Sequence, residues 1–195
     1  MLQLIYFMDI RILLVILHVI GTVIGAGAAT VTDYLVFKFA KDAKIDKDEF
    51  QILHTISDLI WAGLFILLAT GFGFILLHLA DFGSVRDSYN VDKIWAKITI
   101  VIILTLNGFF IHYYVLPTLK KRLGKSLVSP SILKKSFLLF SPGAISAVSW
   151  YTALILGAWR GLDASYGEIM SAYVAILAIA IIVSNIAGRS LLKKR

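Results

Sequence analysis

Apolar residues run along the chain in five long stretches, each separated from the next by a short polar segment. A helix needs about 20 mostly apolar residues to cross the hydrocarbon core of a bilayer. The predicted spans are residues 10–37, 50–80, 94–119, 142–160 and 168–192. Asp46 with Glu49 three residues later predicts a capped start for the second helix. The pattern therefore predicts an all-α integral membrane protein, in which residues 1–195 form a single domain, a bundle of five transmembrane helices.

The start of the fourth span is open to two interpretations. Ser141-Pro142 has the order of a cap followed by proline that is typical of a helix start. We therefore favour a span that runs from Pro142 to about Arg160. Residues 131–140 would then lie along the cytoplasmic interface as a short amphipathic helix. The alternative is one long helix with a kink at Pro142.

Composition agrees with a membrane protein. The chain is 59% hydrophobic and only 16% charged, whereas soluble domains are about 45–50% apolar and about 25% charged. A soluble globular enzyme is thereby excluded. The chain has no cysteine, which excludes disulfides, thiolate metal sites, iron–sulfur clusters and c-type haem attachment. The basic residues that give the net charge of +7 lie between and after the apolar runs. The expected partner is therefore the lipid bilayer and not nucleic acid.

Lysine and arginine positions predict the orientation, because cytoplasmic loops are enriched in these residues. The first loop, the third loop and the C-terminal end carry Lys38, Lys41, Lys44, Lys47, Lys120, Lys121, Arg122, Lys125, Lys134, Lys135, Arg189, Lys193, Lys194 and Arg195. The second loop has only Arg86 and Lys93, and the fourth has only Arg160. We therefore expect the N-terminus outside and the C-terminus in the cytoplasm, in a multi-pass protein of the inner membrane of a prokaryote.

Ionisable side chains inside the predicted spans are costly to bury, which makes them candidate functional residues. At about 100° per residue, they fall on faces of the first three helices that we expect to meet. The outer level of the bundle would hold His18 and Lys97. The inner level would hold Asp33, His54, Asp58 and His112. Because His54 and Asp58 are four residues apart, the carboxylate is positioned to orient the imidazole.

Structural interpretations of the same residues stay open. The stripe of small residues around Gly21 and Gly25 is more typical of a helix-packing face than of a cofactor wall. Lys97 has a stem long enough to reach the outer membrane surface. His54 with Asp58 is also compatible with a purely structural hydrogen bond.

Two groups of residues resemble known membrane families. The segments are Leu17-His18-Val19-Ile20-Gly21, Ile94-Trp95-Ala96-Lys97 and Val115-Leu116-Pro117. The early histidine of the first span and the early lysine of the third resemble the bacterial membrane protoporphyrinogen oxidase of haem synthesis. Lys97, Asn107 and the Leu-Pro pair also resemble the membrane domain of the copper-resistance protein D family, and Thr70-Gly71 fits both. The resemblance covers roughly the first three spans.

The resemblance implies that haem b is bound and that His18 and Lys97 are important residues. It also shows departures from the oxidase. Residues 30–34 replace the aromatic and arginine-containing segment that follows the first span in that family, and His54, Asp58 and His112 lie outside the shared pattern. We therefore expect a relative of the oxidase and not that enzyme.

Three functions follow as hypotheses. The first is a b-type haem protein of the membrane, working in electron transfer or as an oxidoreductase of porphyrin or quinone chemistry. His18 would be its leading ligand and Lys97 a contact for a haem propionate or the substrate, while His54 and His112 would form a second site. A quinone or a redox partner protein would be the other reactant, and a second copy of the chain is a further expected partner.

The second hypothesis is transport of a divalent metal ion or of protons. The inner level supplies carboxylates and imidazoles for Zn²⁺ or Cu²⁺, or for a proton relay. The metal-ligating residues would be Asp33, His54, Asp58 and His112, with His18 in the outer half of the path. The third hypothesis is a non-catalytic membrane subunit, whose basic loops bind anionic lipid.

Overall fold

The computed structural model describes residues 2–39, 44–80, 90–125 and 130–193, and this described part is helical with no strand. The elements are α1 (Leu2–Phe39), α2 (Lys47–Ala80), α3 (Val91–Phe110), a π-helical turn (Ile111–Val115), α4 (Leu116–Lys120), α5 (Pro130–Ala158) and α6 (Tyr166–Lys193). With α3, the π-turn and α4 counted as one, five of the described helices are long and apolar enough to cross a membrane. These segments are Asp9–Phe39, Lys47–Leu77, Val91–Lys120, Ser136–Ala158 and Tyr166–Ser190. The five predicted helices are thus confirmed.

Polar residues define where the helices begin. The predicted capping box of α2 is confirmed, because the Glu49 amide donates to Asp46 Oδ1 at 2.8 Å and the Asp46 amide donates to Glu49 Oε2 at 3.1 Å. Ser165 and Glu168 make the same reciprocal pair before α6. Asn90 caps α3 by accepting from the Lys93 amide at 3.0 Å. Each cap satisfies backbone donors that the first helical turn leaves unpaired.

Helix α5 is continuous from Pro130 to Ala158, with Pro142 inside it. The favoured prediction, a helix start at Pro142 with a separate interfacial helix over residues 131–140, is therefore wrong. The alternative of one long helix that contains Pro142 is correct. Proline has no amide hydrogen and disturbs the hydrogen bonds of its own turn. Neighbouring helices bind the polar groups of this turn: Asn107 Nδ2 donates to the Pro142 carbonyl at 2.9 Å, and Ser184 Oγ donates to the Phe140 carbonyl at 2.9 Å.

Helix α5 is central in the bundle and contacts α1, α3 and α6, while α2 packs mainly against α1. Helix α1 lies along α2, and the closest approach is at Gly63. A Cβ atom at Gly63 would lie 2.5 Å from the Gly25 nitrogen and 2.8 Å from the Gly21 carbonyl oxygen. The backbones of α1 and α2 therefore touch, and the small-residue stripe of α1 is a helix-packing face. On α5, the ring of Trp150 lies over Gly25 and is 1% exposed.

Candidate functional site

His18 is a half-buried residue of α1, and its Nδ1 atom lies 2.8 Å from the hydroxyl oxygen of Thr70 on α2. The Thr70 hydroxyl donates its hydrogen to the Ile66 carbonyl, one turn earlier, at 2.7 Å. A hydroxyl has only one hydrogen, so Thr70 either keeps it on the Ile66 carbonyl and accepts from the Nδ1–H of His18, or donates it to Nδ1; the two cases correspond to the two imidazole tautomers. In the first tautomer Nε2 is unprotonated and carries the lone pair that a haem iron, a metal ion or a proton would use.

Two further side chains surround His18. The ring of Phe74 meets its imidazole edge-on, with centroids 5.6 Å apart. The Lys97 ammonium of α3 is within electrostatic range of His18. The two residues of the predicted outer level therefore lie in the same region of the bundle, without a direct hydrogen bond between them among the described residues. We name His18, Thr70 and Lys97 the outer group; Thr70 is a member that sequence reasoning did not identify as the partner of His18.

Lys93 is a second lysine near this end of the bundle. Its side chain is buried, and its ammonium donates to the backbone carbonyl of Trp159 at the end of α5. Lys93 was predicted to lie in the second loop. In the structure it joins the first turn of α3 to the residue that follows α5, so its role is structural.

The inner residues form two adjoining pairs. His54 Nδ1 lies 3.7 Å from Asp58 Oδ2 on the same helix, and both side chains are well exposed. The centroid of the His54 ring is 6.3 Å from that of His112. His54 thus lies beside Asp58, and the second and third spans approach each other at His112. Along the rest of its length α3 packs mainly against α5 and α6, so the expected meeting of the faces of the first three helices is seen only in part. We name His54, Asp58 and His112 the inner group.

His112 lies in the π-helical turn, where the Leu116 amide donates to the Ile111 carbonyl five residues earlier. Pro117 follows directly; its ring has no amide hydrogen and would crowd the carbonyl of Tyr113 in a regular helix. The wider turn relieves this conflict. Such turns are frequent at functional sites because they displace one side chain from the regular register. The Nδ1 atom of His112 is buried and has no hydrogen-bond partner in the described part of the chain.

Asp33 is separate from the inner group. Its Oδ1 atom lies against α5, 3.1 Å from the position that a Cβ would take at Gly143. Among the described residues it has no hydrogen bond or ion pair. Within this same part of the chain, no three His, Asp or Glu side chains are grouped so that they could hold a metal ion. The four residues of the predicted inner metal cluster are therefore not gathered into one coordination sphere.

A cavity of about 40 Å³ lies between α2, α3, the π-turn and α5. Ser57, Asn107, Ser146 and Trp150 contribute polar atoms to its wall, and Trp61 covers it beside Gly108. Asn107 was predicted at the edge of the face of the third span that holds Lys97 and His112, and it also belongs to the resemblance described above. The cavity itself has no signal in one sequence, since its residues come from three helices far apart in the chain.

Comparison of the chain with protein-family models, with curated proteins and with solved structures finds no match in any of the three. Function is therefore argued from the outer group, the inner group and the surface of the bundle.

Proposed function

We propose that the chain is a multi-pass membrane protein of a prokaryotic inner membrane, with its N-terminus outside and its C-terminus in the cytoplasm. Support comes from the large apolar side chains on the bundle surface, including Val23, Phe65 and Ile179, which are 67%, 73% and 63% exposed. Water-soluble monomers rarely expose large contiguous apolar patches. Trp95 and Trp159 are also exposed, at the end where Lys93 joins α3 to α5, as in an aromatic belt.

We further propose that the protein binds haem b and works in electron transfer or in porphyrin- or quinone-linked oxidation. The observation that carries this proposal is the 2.8 Å contact between His18 Nδ1 and the Thr70 hydroxyl, which leaves Nε2 unprotonated in the tautomer with Nδ1–H. Imidazole is a common axial ligand of haem iron, and a hydrogen bond to its other nitrogen fixes the ring orientation. When bound, haem supplies one-electron redox chemistry.

Each member of the outer group has a defined task in this proposal. His18 binds the group through Nε2, and Thr70 holds the tautomer that leaves Nε2 unprotonated. The Lys97 ammonium, which acts on the same region, is the positive charge for a propionate or for an acidic substrate. A lipid quinone or a redox protein would be the other reactant.

The first test is an absorption spectrum of the protein in mild detergent, oxidised and then dithionite-reduced, together with a haem assay on the same sample. We expect a Soret band with stoichiometric haem b, and its loss in His18→Ala. Thr70→Val removes the bond that fixes the tautomer, so haem affinity should fall about tenfold or more.

Thr105→Val is the matched control for this test. Thr105 also donates to a carbonyl one turn earlier, that of Val101, but it does not contact His18. Haem content should therefore be unchanged in this variant. A colourless protein after expression with ample haem would refute the haem proposal, and equal loss in both threonine variants would refute the role of Thr70.

A second candidate function is passage of protons or of a divalent ion through the inner group. It is favoured by the proximity of His54 to His112 and by the unpartnered Nδ1 atom of His112. A carboxylate–histidine chain relays protons across short distances. A Zn²⁺ ion between the two imidazoles would need further ligands to reach four.

This candidate is tested by proton or Zn²⁺ uptake into proteoliposomes. Asp58→Asn and His112→Ala should each lower the flux severalfold, because they remove members of the relay. Asp48→Asn, an exposed carboxylate in the first turn of α2, is the control and should keep full flux. Flux that is the same in all variants would exclude the relay, and absence of both haem and flux would favour a non-catalytic membrane subunit.

A further inference from the structure

The cavity between α2, α3 and α5 contains polar groups that the protein itself leaves unpaired. The Trp150 indole Nε1 is buried without a hydrogen-bond partner, although the residue is only 1% exposed. Asn107 is 7% exposed, and its Nδ2 donates to the Pro142 carbonyl, which leaves Oδ1 to accept a further hydrogen bond. Ser57 and Ser146 line the same cavity with half-buried hydroxyl side chains. Burial of such groups without a partner costs stability, so native proteins normally provide one.

The unpaired atoms are complementary in type. An indole Nε1–H can only donate. The amide of Asn107 has Nδ2 engaged with the Pro142 carbonyl, so its free Oδ1 can only accept. The two serine hydroxyls can do either. A ligand that fits this wall must accept from Trp150 and donate to Asn107 at the same time.

The volume of the cavity limits the size of the ligand that it can hold. A cavity must offer roughly 10–15 Å³ for each water that it holds. About 40 Å³ holds only a few waters, and it is too small for a quinone ring or a haem. We propose that this cavity is a site for ordered water in the middle of the bundle, in which water accepts from Trp150 Nε1 and donates to Asn107 Oδ1.

The position of this water site extends the inner group towards the centre of the bundle. Ser57 lies one helical turn after His54, and Gly108, at the cavity wall, lies one turn before His112. The Trp150 ring, which lines the cavity, also lies against Gly25 of α1. The wall of the water site is mostly apolar, and the buried Trp150 Nε1 is the unpaired donor on it. It is independent of haem binding, because His18 and Thr70 do not line it.

The test is transfer of magnetisation from water to the indole protons of the ¹⁵N-tryptophan-labelled protein in lipid nanodiscs. The chain has four tryptophans, so Trp61→Phe, Trp95→Phe and Trp159→Phe identify the Trp150 signal by elimination. We expect a cross-peak between water and the Trp150 indole. Either direct transfer or hydrogen exchange would produce it, and both require water in contact with Nε1.

A cavity-filling variant checks that this water occupies the proposed site. Ser146→Val removes a hydroxyl and adds apolar volume to the wall, so the Trp150 cross-peak should be lost. Ser57→Val is the second such variant. Ser171→Val changes an exposed serine of α6 that bonds only to its own helix, and it should keep the cross-peak. A Trp150 signal with no water cross-peak in the unchanged protein would overturn the proposal.

Discussion

Single glycines decide how closely α1 and α2 approach. Gly63 of α2 meets the backbone of α1 at Gly25 and Gly21, with no room for a methyl group between them. Close backbone approach is a main source of helix association in membranes, where apolar side chains gain little by leaving lipid. The sequence indicated this packing face on α1, although it did not identify Gly63 as the residue opposite.

Gly63→Ala should therefore destabilise the bundle, because the new Cβ would lie 2.5 Å from the Gly25 nitrogen and the helices must separate. Overpacking of this kind costs about 1–3 kcal/mol. Thermal unfolding in detergent measures the effect as a lower Tm. Gly71→Ala is the control on the same helix, since its Cβ would meet nothing within 4 Å. Equal Tm values for the two variants would contradict the proposed contact.

The outer group illustrates which properties of individual residues can be predicted from a single sequence. His18 and Lys97 were predicted to share a level, because polar residues in apolar helices are conspicuous and helical rise fixes their depth. Thr70 was not predicted as the partner of His18. Threonine is common in apolar helices, and its contact depends on the rotation of α2 against α1, which a single sequence does not encode.

At the scale of elements, the two prolines in the later helices have different surroundings. Near Pro117 the backbone widens into the π-turn that contains His112. At Pro142 the helix continues, because Asn107, Ser184 and Asn185 bind the polar groups of the proline turn or its neighbours. The sequence predicted the apolar helices correctly from local hydropathy. It favoured a helix start at Pro142 because the local cap-then-proline signal contains no information about donors on α3 and α6.

At the scale of the whole molecule, α5 is central among the described helices, whereas the sequence drew attention to the first three. The reason is that ionisable residues are concentrated in the first three spans, whereas α5 is joined to its neighbours by apolar packing such as that of Trp150 and by uncharged polar groups such as Ser141. Helix order around a bundle depends on shape complementarity between distant segments. Hydropathy predicts which segments are apolar enough to cross a membrane. It gives no information about which helix lies at the centre of the bundle.

The proposed orientation has a direct test, because the chain has no native cysteine. Asp163→Cys lies between α5 and α6, and Lys121→Cys follows α4; both positions are exposed. A membrane-impermeant maleimide added to intact spheroplasts should label Asp163→Cys at once. Lys121→Cys should react only after the membrane is permeabilised. The opposite pattern would reverse the orientation derived from the lysine and arginine distribution.

The contact between Trp150 and Gly25 also has a consequence for the order in which the protein is assembled during synthesis. Helices α1 and α2 are neighbours in the chain and touch at Gly63, so they can pair as a hairpin as soon as α2 has left the ribosome. Gly25 stays uncovered on this side until α5, made much later, brings the indole ring over it. A nascent chain interrupted before α5 would therefore retain an uncovered notch on α1.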